Sequence, residues 1–411
     1  MKFTRVFAFM ALAGLAGSAY ATNGYFSHGY GMKAKGMAGA ATTNTDDAFG
    51  GANNPAAMAF AGNRFDLGVD LFSPRREATM SNPMSTVTVK SDSNYFLIPE
   101  FGYTHQMNSD LALGVTVVGN GGMNTDYPAF ANGYNMLGGQ GRLGIDLMQL
   151  IVAPTAAYKI TPNHSIGISP LIGYQRFRAE GMADPSTFPP APTPIPNKGY
   201  DDSFGYGVRV GYLGKITPTV TIGAAYASKM NFERFKKYNW LFLENGDFDI
   251  PENYNLGASW QATSALKLAL DYQRINYSGV KAVGAPPTQG GFGYDDVNVW
   301  KLGAEYKLNS AWTLRAGYSH TNNPIKGASA ADCGAGSENC MEVTTNILAP
   351  AVIKDHATLG FTYTLASGNE LTMAYMHAFK NDVSGYNAMS TGTDTIRMYQ
   401  DSLGIQYSWK M

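Results

Sequence analysis

Short segments in which apolar and polar residues alternate one by one run from Arg64 almost to the end of the chain, and they constrain the fold more than any other feature. Leu266, Leu268, Leu270 and Tyr272 fall on one face, opposite Lys267, Ala269, Asp271 and Gln273. Trp300, Leu302, Ala304, Tyr306 and Leu308 are set against Lys301, Gly303, Glu305 and Lys307, and the stretches Trp312–Tyr318 and Leu403–Trp409 repeat the pattern. A period of two sends successive side chains to opposite faces of a strand. The pattern predicts about fourteen strands, among them Arg64–Phe72, Tyr95–Thr104, Leu111–Gly119 with a possible continuation, Gln149–Ile160, Ser165–Arg178, Glu370–Lys380 and Thr395–Ser408.

The connections alternate in length. Tight turns are expected at Gln106–Asp110, Thr161–His164, Thr217-Pro218, Ala262–Ala265, Asn309–Ala311 and Ala366–Asn369. Long polar loops fall between them, at Ser73–Asn94, Asp126–Met148, Ala179–Ser203, Met230–Phe248, Asn322–Asp355 and Asn381–Asp394. An even number of strands with short turns at one end and long loops at the other is the signature of a bacterial outer-membrane barrel. Trp300, Trp312, Tyr407 and Trp409 sit on the apolar face near strand ends, as an interfacial girdle requires. An exported soluble sandwich is the competing all-β reading and would turn that face inward. The 411 residues suit one long barrel.

Before the alternation, the chain has a different character. Met1–Ala21 has a basic start at Lys2 and Arg5, an apolar run and small residues at its end, the pattern of a cleaved secretory signal. Thr22–Ala61 is crowded with Gly and Ala and lacks strand periodicity, so it reads as an irregular plug packed inside a confined space. The division is therefore 1–21 signal peptide, 22–61 plug and 62–411 barrel. No later run approaches the ~20 apolar residues of a spanning helix.

Other functions are argued against. A net charge of −1 with no basic face disfavours nucleic acid. No nucleophile elbow, zinc-binding histidine motif or phosphate loop is present, so neither enzyme activity nor a cofactor is expected. Cys333 and Cys340 lie close together between strand-like segments, and in an oxidising compartment such a pair closes a small loop as a disulfide. A metal site would want more ligands, and no His lies nearby in sequence. Asp46-Asp47 reads as a cap on a short helical turn. Pro189, Pro190, Pro192, Pro194 and Pro196 read as a stiff spacer in an outer loop. The inward charges Lys267, Asp271, Lys301, Glu305 and Arg315 are expected to pair across the lumen.

Asp46-Asp47-Ala48 followed by Asn54-Pro55-Ala56, then Ile98-Pro99, Leu111–Val117, Pro251-Glu252 and Trp312–Gly317 with Pro324 beyond it, occur in that order. In this the chain resembles the FadL-type outer-membrane transporters of long-chain fatty acids and aromatic hydrocarbons over nearly its whole mature length. The resemblance implies a fourteen-stranded barrel filled by an N-terminal hatch, with Asp46, Asp47, Asn54, Pro55 and Ala56 as hatch and gating residues. It also implies a third strand kinked inward at Gly119, Asn120, Gly121 and Gly122, opening a lateral hole. Three glycines in four residues fit a bulge or close backbone approach, although an ordinary glycine-rich strand end would read alike.

A hydrophobic ligand would be caught among the loops Tyr127–Leu147 and Ala179–Ser203, pass to a pocket above the hatch and leave sideways into outer-membrane lipid, with no partner chain needed. Phe26 and Arg176 are the candidate ligand contacts. Arg176 matches one of two basic residues that face the ligand carboxylate in fatty-acid members, whereas the second position falls near Asp295-Asp296. An acidic pair there would repel a carboxylate, so an uncharged or aromatic hydrocarbon is expected. A water-filled porin, or an adhesin or receptor using the long loops, are the alternatives.

Overall fold

Side chains of alternating character settle into a sheet that closes on itself. The computed structural model describes residues 23–184 and 193–411; the signal segment 1–21 and Pro189, Pro190 and Pro192 lie outside the described residues. The wall begins with β1 (Arg64–Ser81), β2 (Phe96–Gln106), β3 (Leu111–Tyr127), β4 (Leu143–Thr161) and β5 (His164–Glu180). It continues through β6 (Asp201–Lys215), β7 (Val220–Ala227), β8 (Asn253–Gln261), β9 (Leu266–Ile275) and β10 (Val297–Lys307). It ends with β11 (Trp312–Thr321), β12 (Asp355–Thr364), β13 (Glu370–Asn387) and β14 (Gly392–Lys410). Each strand is antiparallel to the next, and β1 pairs with β14 from Arg64 opposite Lys410 to Ser81 opposite Thr393. Closure satisfies the outer backbone groups that a lipid environment would leave without partners.

The faces follow the alternation. Trp300 and Leu302 are each 54% exposed while Lys301 between them is 5% exposed, so the apolar side looks out and the charged side looks into the lumen. That is the inverse of a soluble sandwich, and it matches a wall solvated by lipid.

The lumen is filled from both ends. Residues 23–61 occupy its lower part, with Tyr25, Phe26, Met32, Phe49 and Met58 all fully or almost fully buried. This hatch contains one helical turn, α1 (Met32–Lys35), and a 3-10 helix at Pro55–Phe60. Asn54 starts the latter because its side chain accepts a hydrogen bond from the Ala56 amide while Pro55 supplies a preset φ at the first position. From above, the connection between β11 and β12 turns down into the mouth. Ile347, Leu348, Ala349, Ala351, Val352 and Ile353 of this strap are all buried. A second apolar plug comes from the β7–β8 loop, where Phe235, Tyr238 and Phe242 pack round Phe177 of β5 and Phe248 packs on Phe242.

Several boundaries differ from the sequence reading, two of them by most of an expected loop. The expected loop Asn381–Asp394 is strand for most of its length, leaving a connection of only residues 388–391. A bulge between Ala378 and Asn381 lets β13 and β14 stay paired above the membrane, through contacts such as Val383 opposite Ile396. Their polar residues on both faces hide the period. Likewise β1 runs on to Ser81 and pairs with a short strand at Thr86–Lys90, so Arg75 and Arg76 lie in the wall instead of a loop.

Candidate functional site

The hatch is clasped by ions. Lys35 reaches Asp70 at 2.9 Å and Glu100 at 2.6 Å, and Lys33 reaches Glu370 at 2.7 Å, all of them buried. The wall charges expected to pair only with one another also hold the hatch. Asp271 accepts hydrogen bonds from the Ala41 and Thr42 amides and the Thr42 hydroxyl at 2.7–2.8 Å. Lys267 bridges Asp46 and Glu305, and Arg315 pairs with Glu305 at 2.7 Å. A charge moved out of water is tolerable when such partners surround it.

Among the proposed gating residues, Asp47 accepts from the Phe49 amide at 3.0 Å and from the Asn44 side chain at 2.7 Å, which makes it the turn cap. Burial, and after it the Asp66 carboxylate, raise its pKa to about 6. Asn54, Pro55 and Ala56 dock on β5 and β6. The Asn54 amide donates to Thr42 O and Tyr212 O, and the Ser165 hydroxyl donates to Ala56 O at 2.8 Å.

The kink is where hatch and wall meet. Strands β2 and β3 pair only from Gln106 opposite Ala112 up to Phe101 opposite Val117. Beyond Val117, β3 turns toward the lumen and its pairing with β4 shifts by one residue between Gly119 and Gly121. Its inner backbone is taken over by the hatch: the Ser27 amide donates to Asn120 O at 3.0 Å and the Gly122 amide to Tyr25 O at 3.1 Å. Glycine is required at this approach, because a Cβ on Gly121 would stand 1.8 Å from Tyr25 O. Phe26 lies opposite Gly121, its ring near Tyr277, whose hydroxyl donates to Asn23 O.

Above the break the wall is rejoined. The Asp92 amide donates to Asp126 O, and Arg142 pairs with both Asp126 and Asp92 at 2.5 and 2.6 Å. The backbone seam between β2 and β3 is thus interrupted between Phe101–Val117 below and Asp92–Asp126 above. On its lumen side lies a cavity of about 10 Å³, room for a single water. It is lined by Tyr25 of the hatch, Arg76 of β1, Met123 and Asn124 of β3, Tyr294, and Ala349 of the strap. The Tyr294 hydroxyl donates to Ala349 O at 2.6 Å, and the Tyr127 hydroxyl to Ile347 O at 3.0 Å, tying the strap above it.

The ligand-facing role expected of Arg176 does not match its position. It follows Gln175 on β5, and Gln175 with Gly173 and Phe177 takes the inner face, so Arg176 points outward and stacks on the Tyr200 ring at 3.6 Å. The acidic positions are neutralised as well: Asp296 pairs with Arg274 at 2.7 Å and Asp295 with Lys326. The sequence argument against a carboxylate ligand, which rested on Asp295-Asp296, therefore loses its support, and so does the expectation that Arg176 would receive such a ligand. Cys333 and Cys340 are bonded to each other in the strap, far from the break in sequence.

A closed antiparallel barrel with lipid-facing apolar residues, a plugged lumen and an interrupted wall seam defines an outer-membrane transport barrel. The chain belongs to the family of outer membrane transport proteins described as OMPP1/FadL/TodX, whose sequence profile matches residues 9–407. It is accordingly an outer-membrane protein. Its fold is similar to the crystal structure of the P. putida toluene transporter TodX, with a TM-score of 0.71, 20% identity, and coverage of 93% of this chain and 99% of that one. A Pseudomonas aeruginosa FadL homologue gives 0.68 at 16% identity, with 93% and 99% coverage. The Ralstonia pickettii toluene transporter TbuX gives 0.66 at 18% identity, also with 93% and 99% coverage. Among curated protein sequences no significant match is found.

Proposed function

We propose that this barrel takes up hydrophobic small molecules, aromatic or aliphatic hydrocarbons and also long-chain fatty acids, by passive lateral diffusion through the break between β2 and β3. The observation that carries the reading is the exchange of partners at the kink, where β3 leaves β2 after Val117 and bonds to Tyr25–Ser27 of the hatch. Described similar structures include toluene transporters and a monoaromatic hydrocarbon channel, which supports an apolar solute. Moving apolar surface from water to a lipid-continuous path is favourable at about 25 cal/mol per Å², so no energy source is needed. The cavity holds no more than a water while hatch and strap are docked, so the ligand pocket forms when one of them shifts. In this reading 1–21 directs export, 22–61 is the hatch and 62–411 the barrel. Asp46, Asp47, Asn54, Pro55 and Ala56 set hatch position, Gly119 to Gly122 form the opening, and Phe26 contacts the solute. The protein works as a monomer, without cofactor or catalysis.

The test is a reversible lock. Ser27 and Asn120 are adjacent across the hatch–kink pairing, so Ser27→Cys with Asn120→Cys places two thiols where a disulfide is feasible. In liposomes, uptake of a labelled monoaromatic compound is expected to fall to background when the pair is oxidised and to return on reduction, with the unsubstituted protein as control for its native disulfide. Uptake undiminished by the lock would sink the lateral route. A steady ion conductance through the intact protein would make it a porin.

A further inference from the structure

Of the wall charges expected to pair across the lumen, Lys301 is the one whose side chain makes neither an ion pair nor a hydrogen bond among the described residues. It stands on the inner face of β10, between the lipid-facing Trp300 and Leu302, and is 5% exposed. Its cross-strand neighbour on β9 is Asp271, but that carboxylate turns Oδ2 to the Ala41 and Thr42 amides and the Thr42 hydroxyl, and its Oδ1 bonds to nothing. The Lys301 ammonium lies instead against the hatch, where a Cβ on Gly39 would come within 3.2 Å of Nζ. Both residues line a second cavity, enclosed between hatch and wall.

Another uncompensated cation lines the same space. Arg209 of β6, also 5% exposed, donates from Nη1 to Gly51 O at 2.9 Å and to Ala52 O, hatch carbonyls that bring no negative charge. Asn53 of the hatch, Asn255 of β8 and Gln273 of β9 add side-chain amides to the lining, and no Asp or Glu is part of it. The Gln273 amide oxygen is buried without a partner, so that amide is free to turn its N–H groups inward. Two buried cations facing one small space repel with little screening, and each is costly unless an anion completes it. The size of the space selects the anion. At about 20 Å³ it takes one or two waters or a single monatomic ion, and it has no room for a carboxylate, phosphate or sulfate.

We propose that this cavity is a halide site, in which one chloride ion accepts N–H donors from Lys301, Arg209 and the surrounding amides and fastens the hatch to the wall. Hatch and wall each supply part of the shell, so the ion binds the docked hatch and is released when the hatch moves away. It is a fastening separate from the ion pairs of Lys33 and Lys35, and unlike them it depends on what the solution contains. The site goes beyond the transport reading and is independent of the direction in which a solute leaves.

The probes are chloride and bromide, offered to the intact protein in detergent at constant ionic strength, with gluconate as a replacement anion too large for the cavity. An ion that binds only the docked hatch slows its opening in proportion to occupancy. Hydrogen exchange at the Gly39, Ala41, Ala52 and Asn53 amides, which all lie on the cavity, is therefore expected to slow about tenfold when chloride stands at about ten times its Kd, along a saturating curve. Amides of β13 should not respond. In Lys301→Met the chloride curve should be flat. Crystals of the intact protein, in bromide at a concentration that saturates the exchange effect, should show an anomalous peak between Lys301 and Arg209, and they decide the matter if the variant does not fold. An equal response to sulfate would make the effect one of screening and overturn the site. So would a full chloride response in Lys301→Met, exchange indifferent to chloride in the intact protein, or a cavity that holds only water in the bromide crystals.

Discussion

The lower and upper fillings of the lumen are held by different forces. The hatch is locked from below by buried ion pairs, Lys33 and Lys35 meeting Glu370, Asp70 and Glu100, with the half-exposed Asp46 meeting Lys267 beside them. The strap is held from above by burial of Ile347 to Ile353 and by tyrosine hydroxyls on its carbonyls. Ion pairs in a dry lumen are all-or-none: removing one partner strands the other. Apolar contacts are graded and can slide, because they lack direction. Between these two regimes lies the small cavity beside the broken seam. The contrast suggests that the strap yields first to an arriving hydrophobic solute and that the hatch answers as a unit.

The largest effect should come from breaking the ionic side of this contrast. Lys35→Met leaves Asp70 and Glu100 facing each other without their cation, a loss of about 3–5 kcal/mol in hatch docking. Planar bilayer recordings are expected to show a steady ion conductance absent from the intact protein, and a silent Lys35→Met barrel would mean that the clasp is dispensable. A smaller change is expected on the apolar side. Ile347→Ala removes a fully buried side chain from the strap, costing about 2–4 kcal/mol locally, and should raise protease sensitivity of the strap while conductance stays near zero. Conductance appearing in this variant would erase the distinction between the two halves.

The subtlest separation is by pH. Asp47 in the hatch has its pKa raised to about 6, first by burial and then by Asp66, and burial raises Glu342 of the strap to about 8. Each folded carboxyl holds its proton more firmly than the unfolded one does, so each contributes stability that is lost as pH rises from the ordinary carboxylate range through its folded value. Hydrogen exchange, corrected for intrinsic base catalysis, should therefore speed up for residues 44–49 as pH passes through about 6 and level off, while residues 342–346 keep loosening through about 8. Asp47→Asn and Glu342→Gln should each flatten their own step alone. If Asp47→Asn flattened both, hatch and strap would be one cooperative unit.

Parity explains both what was legible in the sequence and where reading it failed. All fourteen strands could be found because lipid outside and a polar lumen inside impose a strict period of two over long distances. Arg176 was misplaced by the same rule, since one residue of offset exchanges lumen for exterior and Gln175 holds the inner position. Lys33 and Lys35 gave no signal: in Gly-Met-Lys-Ala-Lys-Gly they look like solvated lysines, and their partners lie 35 to 337 residues away. Arg76 was lost to an expected loop because Ser73, Arg75 and Glu77 ended the apolar alternation above the lipid band.

By itself the sequence determined the barrel, its inverted faces and its glycine-rich plug, because these are local: each follows from residues one to four positions apart and from the solvent they must meet. Only the tertiary structure decided how the plug is clasped, which loop closes the mouth, and which cation lines the cavity at the broken seam. Those are pairings between distant residues, whose energies exist only once closure of the wall has removed water from between them.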